Sequence, residues 1–188
     1  MSPLAAMKWL WFAWAISWTI AALWSRRTEA RPSATAEYLY RLLTLAGVAL
    51  LFDLGHFPFL RQEFWRAPLP LGWALAGLTA LAFSFCWWAR IHLGTLWSSS
   101  VTRKADHRII DTGPYGVVRH PIYTGIITAS ATVAIDVATS GALLGVILVV
   151  VGFWVKARLE ERFLRAELGA EAYDGYSRRT AMLIPGLK

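Results

Sequence analysis

Long apolar blocks dominate this sequence and determine the solvent in which it can fold. They run from about Met7 to Trp24, from about Tyr38 to Phe57 and from about Leu71 to Ala89. As an α-helix each block would be ~27–30 Å long, which matches the hydrocarbon thickness of a bilayer. Only 16% of the residues are charged and the mean hydropathy is +0.44. The sequence therefore predicts an all-α integral membrane protein.

A fourth apolar block runs from about Ile122 to Val155 and is interrupted by DVATSG at 136–141. One helix of that length would be ~51 Å long, too long for a single crossing. The interruption therefore predicts a helical hairpin that turns at DVATSG. From Lys156 the chain becomes charged but keeps apolar residues at helical spacing, which predicts an interfacial helix that ends at Gly169. In total we expect five membrane helices.

The basic residues are unevenly distributed and predict the orientation in the membrane. The chain has 19 Lys and Arg against 12 Asp and Glu, a net charge of +7. They are concentrated in the 25–37 linker, the 90–121 loop and the C-terminal tail. The positive-inside rule places these three regions in the cytoplasm and the N-terminus outside, in an inner or plasma membrane. Because no basic patch stands free of the apolar blocks, membrane lipids and not nucleic acids are the expected partners.

The stretch GPYGVVRHPIYTG at 113–125 stands out against this apolar background. Its glycines and prolines are explained by a turn that re-enters a helix, with proline in the first helical turn. Such a turn does not need ionisable or phenolic side chains. Those groups at a hydrocarbon boundary are candidates for function. They are Tyr115, Arg119, His120 and Tyr123.

Three motifs in order resemble the isoprenylcysteine carboxyl methyltransferase family and its relatives, the bacterial membrane phospholipid methyltransferases. They are LGTLWSSSV at 93–101, HRIIDTGPYGVVRHPIYTG at 107–125 and RLEERFLRAELGAEAYDGYSRRTAMLIPG at 158–186. The resemblance divides the chain into N-terminal helices at 1–90 and a catalytic half at 91–188. It implies a membrane methyltransferase that uses S-adenosylmethionine, and it implies no metal.

The resemblance also assigns roles to individual residues. The family positions that contact the cofactor correspond here to His107, Ile109, Ile110, Tyr115, His120, Pro121, Tyr123, Glu160 and Glu161. The family's catalytic positions correspond to Arg119, Arg158 and Glu160, with the two arginines close to a reacting carboxylate. Neighbouring helical residues point ~100° apart, so Glu160 and Glu161 are not expected to face one ligand equally. The sequence alone leaves open which of the two dominates.

Other chemically suggestive residues receive simpler interpretations. Asp53 and His56 lie three residues apart near the end of the second block, which predicts an interfacial pair on one helix face. Cys86 is the single cysteine, so an internal disulfide is excluded and the residue is interpreted as a small apolar side chain.

The sequence does not identify the methyl acceptor. A lipophilic carboxylate, such as that of an isoprenoid or prenylcysteine, is already anionic at pH 7 and needs only a cation to position it. A phospholipid amine would need a base such as Glu160, Glu161 or His120. An NADPH-dependent enzyme similar to sterol reductases and a non-enzymatic membrane scaffold are the remaining alternatives. The oligomeric state is not predicted.

Overall fold

The computed structural model describes residues 1–23, 28–30, 34–94, 103–104 and 109–187. In these ranges the chain is almost entirely helical. The α-helices are α1 (Pro3–Ala22), α2 (Ala34–Leu51), α3 (Leu69–Leu93), α4 (Pro114–Val117), α5 (Pro121–Val137), α6 (Ser140–Leu168) and α7 (Ala170–Arg179). A 3-10 helix spans Pro58–Leu60, and two short strands, β1 (Thr28–Ala30) and β2 (Arg103–Lys104), pair antiparallel.

Two of the described helices are long and apolar enough to cross a membrane. They are α3 and, within α6, the stretch Ser140–Glu167, with mean hydropathies of 1.6 and 2.1. The shorter helix α5 is also apolar. The helical fold class is confirmed, whereas five membrane crossings and the division of the chain at residue 90 remain predictions.

The predicted hairpin is present as α5 and α6. Its turn lies at Ala138–Thr139, inside the DVATSG stretch, and Ala138 takes a left-handed backbone conformation with φ 51°. The Thr139 hydroxyl then caps α6 by accepting a hydrogen bond from the backbone N–H of Ala142 at 3.2 Å. The second leg does not stop where the charges begin, because α6 continues from Ser140 to Leu168 as one helix. Gly169, with φ 95°, ends it as predicted and separates it from α7.

Glycines allow α2 and α6 to pack backbone against backbone. A Cβ atom added at Gly145 would lie 2.7 Å from both the Gly47 carbonyl oxygen and the Leu51 nitrogen. A Cβ atom added at Gly152 would lie 2.7 Å from Cγ2 of Thr44. Small residues at such positions let membrane helices approach closely, where van der Waals contact replaces the hydrophobic effect as the attraction.

Replacing Gly145 with leucine should therefore separate α2 from α6 and lower the melting temperature of the protein in detergent. Overpacking of this kind typically costs ~1–3 kcal/mol, and here backbone atoms have to move. The matched control is Gly77→Ala on α3, where a Cβ would meet nothing within 4 Å. We expect the control to melt at the same or a slightly higher temperature. Equal melting of Gly145→Leu and wild type would contradict the close packing.

Helices α3 and α5 form the second close pair. The Sγ atom of Cys86 would lie 2.4 Å from a Cβ at Gly125, and the thiol donates to the carbonyl of Ile122 at 3.4 Å. Deeper along the pair, the Thr79 and Thr132 hydroxyls share a buried hydrogen bond of 2.7 Å. Cys86 is buried, as its interpretation as a small apolar side chain predicts.

Described parts of the linker, of the long loop and of the C-terminal tail lie at one end of the bundle. Strand β1 of the 25–37 linker pairs with β2 of the long loop, so these two segments lie together. The C-terminal tail joins the same region through a parallel bridge between Val118 and Ala181. We call this the strand end. The described parts of the linker and of the tail therefore each contact the long loop, and the shared cytoplasmic face of the three regions stays a prediction.

The opposite end of the bundle carries Asp53 and His56, and their predicted helical pairing is wrong. Helix α2 already ends at Leu51, and both residues adopt left-handed backbone angles in the turn that follows. Asp53 instead pairs with Arg61, at 2.6 Å between the carboxylate and guanidinium. Both partners are about half exposed, so the Asp53–Arg61 pair is a surface contact.

Candidate functional site

The 113–125 stretch contains the single-turn helix α4, a short extended segment and the first residues of α5. Gly113, with φ 56°, packs against the His92 ring and is followed by the single turn of α4. Val118 adopts an extended backbone conformation. Pro121 is the first residue of α5, where the backbone N–H that proline lacks would have no partner within the helix. This change of direction presents Arg119 and His120 at the strand end.

The C-terminal tail runs alongside this extended stretch. The backbone N–H of Arg119 donates to the Ala181 carbonyl at 2.8 Å, and that of His120 donates to the Met182 carbonyl at 3.2 Å. The Thr124 hydroxyl adds a bond to the Leu183 carbonyl at 2.6 Å. We call residues 180–183 the strap. The strap fixes the stretch that carries the arginine and histidine.

The Arg119 side chain joins three elements. Its Nε donates to Oε1 of Glu161 on α6 at 2.7 Å, and both side chains are only about one-tenth exposed. Its Nη1 donates to the carbonyl of Ser177 on α7 at 3.0 Å and to the Thr180 carbonyl of the strap. The guanidinium therefore binds α6, α7 and the strap to the start of α5.

The His120 ring lies between the two adjacent glutamates. Its Nε2 is 3.1 Å from Oε1 of Glu161, and its Nδ1 is 3.6 Å from Oε2 of Glu160. Neighbouring residues of a helix cannot face one point squarely, but they can contact opposite edges of one ring. The arrangement places both acidic side chains against the same histidine.

Glu160 and Glu161 differ in their surroundings. Tyr123 donates its hydroxyl to Oε2 of Glu160 at 2.6 Å, and its ring stacks on His120 with centroids 5.1 Å apart. The Glu160 side chain is 30% exposed, against 11% for Glu161. In the described part of the chain, no hydrogen bond uses Oε1 of Glu160. Glu161 is therefore enclosed by protein groups, and Glu160 keeps one oxygen for a ligand.

Buried tyrosines connect α7 to this site. The Tyr176 hydroxyl donates to the Tyr115 carbonyl at 2.8 Å, and the Tyr173 ring meets that of Tyr176 edge to face. Burial raises the pKa of all three phenols, Tyr115, Tyr173 and Tyr176, above the ordinary value. These tyrosines therefore stay neutral hydrogen-bond donors at physiological pH.

The structure brings together five of the predicted site residues, namely Arg119, His120, Tyr123, Glu160 and Glu161. Tyr115 and Pro121 are buried beside them, and Ile110 packs against the core cluster that contains Tyr115. Ile109 is half-buried. His107 lies outside the described residues. The roles given to these residues by resemblance stay predictions.

Arg158 has a different environment from the other predicted residues. It is exposed, and its guanidinium lies over the Trp154 ring, 5.5 Å from the centroid. The described contacts do not join Arg158 to the glutamates, and its predicted catalytic role remains untested.

Sequence reasoning missed the side of the site formed by Lys156 and Tyr40. The Lys156 ammonium lies over the Tyr123 ring at 5.0 Å and over the Tyr40 ring of α2 at 5.4 Å. A lysine one turn before Glu160, directly after an apolar run, was the available signal. Tyr40 carried none, because only the packing of α2 on α6 brings it close.

Acidic, histidine and cysteine side chains do not form a metal site in the part of the chain that the structure describes. There, no group of three or more such residues is placed to hold a metal ion.

Residues 75–166 match the model of the isoprenylcysteine carboxyl methyltransferase (ICMT) family. We call these residues the ICMT segment. The ICMT segment begins within α3 and ends within α6, so it contains Arg119, His120, Tyr123 and both glutamates. The predicted resemblance is confirmed over this range, and with the two apolar helices it indicates a membrane methyltransferase.

Helices α1 and α2, α7 and the strap lie outside the ICMT segment. No curated protein matches the chain.

Proposed function

We propose that the protein is an S-adenosylmethionine-dependent methyltransferase that methylates a lipophilic carboxylate, of the isoprenoid or prenylcysteine type. One observation carries the proposal. The Arg119–His120 stretch before the hairpin and the glutamate pair after it form one hydrogen-bonded cluster, closed by the strap. Two segments of the ICMT type, about 40 residues apart in sequence, thus converge on one small volume.

The groups present fit this cofactor. S-adenosylmethionine carries an ammonium and a sulfonium, and a carboxylate with an accessible oxygen is the complementary partner for such cations. Glu160 supplies that oxygen. Its second oxygen accepts the Tyr123 hydroxyl hydrogen bond and lies 3.6 Å from Nδ1 of His120. Because Glu161 is occupied by Arg119 and His120, Glu160 is our candidate for the direct contact.

Binding the cofactor here would determine the chemistry. When bound, S-adenosylmethionine would supply a sulfonium methyl group. An acceptor oxygen would form the new C–O bond as the S–CH₃ bond breaks, and the electron pair would stay on sulfur. A carboxylate acceptor needs no base, so the chain's own residues would bind, orient and exclude water. Arg119 contributes by holding α6, α7 and the strap in place, and its contacts favour a positioning role over direct contact with substrate.

The placement of the site suits reactants that arrive from two phases. The strand end carries the polar segments, whereas α5 and α6 continue into apolar surface. We propose that this end faces the cytoplasm of an inner or plasma membrane, where the cofactor is dissolved, and that the acceptor enters from the bilayer. The basic linker, loop and tail support this orientation through the positive-inside rule.

A phospholipid N-methyltransferase is the second candidate, favoured by one observation. The Glu160 side chain is 30% exposed, and in the described part of the chain no hydrogen bond uses its Oε1. A carboxylate of this kind can serve as the base that nitrogen methylation requires. Both candidates use the same cofactor. The carboxylate acceptor would gain a C–O bond to the methyl group, and the phospholipid amine would gain a C–N bond.

Cofactor binding tests the proposal. We expect saturable binding of S-adenosylhomocysteine to the purified protein in detergent by calorimetry, weakened at least tenfold by His120→Ala and by Glu160→Ala. The matched control is His56→Ala, an exposed histidine at the opposite end, which should bind like wild type. Binding of NADPH instead would support a reductase, and binding of neither molecule would overturn the enzymatic proposal.

The product bond separates the two acceptors. The protein is incubated with methyl-labelled cofactor and a lipid extract, and the labelled product is treated with base. A base-labile label indicates an ester and supports the carboxylate. A base-stable label indicates a methylated nitrogen and would replace the first candidate with the second.

A further inference from the structure

We propose that a cavity at the end of the bundle opposite the proposed cofactor site binds an anionic phospholipid, whose phosphate contacts Lys8. None of the described residues that line this cavity belongs to the candidate functional site. The lipid site therefore goes beyond the proposed function and does not depend on it. We call the space the turn cavity, because it adjoins the turn between α5 and α6 at Val137 and Thr139.

Several elements contribute to the wall of the turn cavity, which is mostly apolar. Leu4 of α1, Leu50 of α2, Leu60 of the 3-10 helix and Val137 of α5 all line it. The volume of the cavity is about 270 Å³. This is slightly below the ~300–1,000 Å³ of pockets that enclose a whole drug-sized ligand. The cavity therefore suits part of a larger molecule, with the remainder of that molecule outside the protein.

The charged side chains that line the turn cavity leave one positive charge unbalanced. Arg61 and Asp53 pair with each other, with 2.6 Å between the guanidinium and the carboxylate. Lys8 also lines the cavity, and among the described residues no ion pair or side-chain hydrogen bond involves it. A cation beside an apolar wall complements a ligand that has one negative charge and a hydrocarbon part.

Exposed aromatic residues at the same end indicate that lipid surrounds the cavity. Trp9, next to Lys8, and Phe59, next to Leu60, are both more than half exposed. Exposed rings of this kind are typical of the interface between a bilayer and water. Lys8 lies about 8 Å along α1 from its first residue, and lysines near the ends of membrane helices extend their ammonium to the head groups. A phospholipid would thus place its phosphate at Lys8 and part of an acyl chain against the apolar wall.

The arrangement of charges favours a lipid with a net negative charge over a zwitterionic lipid. A zwitterionic head group carries an ammonium besides its phosphate. Asp53, the acidic residue among the described residues that line the cavity, already accepts a hydrogen bond from Arg61 at 2.7 Å. Phosphatidylglycerol has a phosphate and no ammonium, so it matches the unbalanced charge of Lys8 through a charge-assisted hydrogen bond.

The test compares two lipids with identical acyl chains. Protein purified in detergent is titrated with dioleoyl-phosphatidylglycerol or with dioleoyl-phosphatidylcholine, and native mass spectrometry measures the affinity of the first bound lipid. In wild type, phosphatidylglycerol should bind about tenfold more tightly than phosphatidylcholine, the value of one charge-assisted hydrogen bond. In Lys8→Gln this ratio should fall to about one, whereas Lys8→Arg should keep most of it because the positive charge remains.

Arg66→Gln is the matched control for charge. Arg66 belongs to the same end of the bundle, and its side chain is 86% exposed and pairs with Glu63. It does not line the turn cavity. Removing this charge should leave the wild-type ratio unchanged. An equal loss of preference in Arg66→Gln and Lys8→Gln would show that the overall charge of this end attracts the lipid, and would overturn the site.

Leu4→Trp tests the cavity itself, because it enlarges a side chain of the apolar wall and keeps Lys8. We expect this variant to bind phosphatidylglycerol at least tenfold more weakly than wild type, while far-ultraviolet circular dichroism shows the same helical content. Wild-type affinity in a folded Leu4→Trp protein would place the lipid elsewhere and overturn the proposal. Should Leu4→Trp fail to fold, the ratios of Lys8→Gln and Lys8→Arg still decide.

The lipid site and the proposed function can fail separately. Lys8→Gln should bind S-adenosylhomocysteine like wild type, because Lys8 is at the opposite end from the cofactor site. If wild type does not prefer phosphatidylglycerol, or if Lys8→Gln keeps that preference, the lipid site is overturned and the cofactor assignment is unaffected. If oleate binds more tightly than phosphatidylglycerol with the same dependence on Lys8, the phospholipid is overturned in favour of a fatty-acid carboxylate.

Discussion

Replacing Glu161 with alanine should destabilise the protein strongly, whereas the same change at its neighbour Glu160 should weaken cofactor binding at least tenfold with little loss of stability. Glu161 is buried and accepts bonds from Arg119 and His120. Its removal leaves the Arg119 guanidinium buried without its carboxylate, which typically costs ~3–5 kcal/mol. For a chain of this length that corresponds to a fall in melting temperature of roughly 10 °C or more.

Glu160 is the matched control for that experiment. It is adjacent in sequence and identical in chemistry, but partly exposed, and its bond to Tyr123 is worth only ~1 kcal/mol net. We expect Glu160→Ala to melt close to wild type while binding S-adenosylhomocysteine at least tenfold more weakly. Melting curves in detergent and calorimetry measure the two quantities. Similar behaviour of the two variants would contradict the division of roles.

A double variant tests the physical cause. Adding Arg119→Met to Glu161→Ala removes the uncompensated charge, and apolar replacements of buried ion pairs are often tolerated. The double variant should therefore melt above Glu161→Ala alone. Rescue should be partial, because the Ser177 and Thr180 carbonyls lose their donor. Simple addition of the two single losses would show that the two residues are not coupled.

Removing residues 180–188 should eliminate cofactor binding while leaving the helices in place. The strap supplies four acceptors to the 119–124 region, through the carbonyls of residues 180–183. At ~1 kcal/mol net for each bond, their loss should reduce the population of the ordered site by on the order of 100-fold or more. Calorimetry with S-adenosylhomocysteine measures the binding, and far-ultraviolet circular dichroism checks that the helical content is retained.

A shorter truncation is the control for the strap. Removing only residues 187–188 leaves the carbonyls of 180–183 intact, and Leu187 is exposed. This variant should bind like wild type. Undiminished binding after removal of 180–188 would show that the strap does not organise the site.

Much of this arrangement was predictable because its signals are local. A proline after Arg-His, a polar interruption at 136–141 and a glycine at 169 each act on the backbone where they stand. They correctly predicted the start of α5, the hairpin turn and the end of α6. The resemblance of three ordered motifs predicted that the Arg-His stretch and the glutamates belong to one site.

The remainder depends on contacts that leave no local pattern. The strap binds through backbone carbonyls, and every residue type has one, so its sequence does not predict the pairing. The difference between Glu160 and Glu161 follows from the position of His120 and Arg119 relative to α6. Asp53 was misplaced because α2 ends at Leu51, about six residues before the end of the apolar block at Phe57. Asp53 and His56 therefore lie in a turn and not on one helix face.

The strap also sets an order of events during biosynthesis. Chains fold progressively from the N-terminal side as they emerge, and the carbonyls that fix Arg119 and His120 are made after both hairpin helices. Arg119 and His120 therefore lack these hydrogen-bond acceptors until residue 183 has been translated. A nascent chain would acquire its helices first and the proposed cofactor site last, so we expect a chain that ends before the strap to be helical but unable to bind S-adenosylhomocysteine.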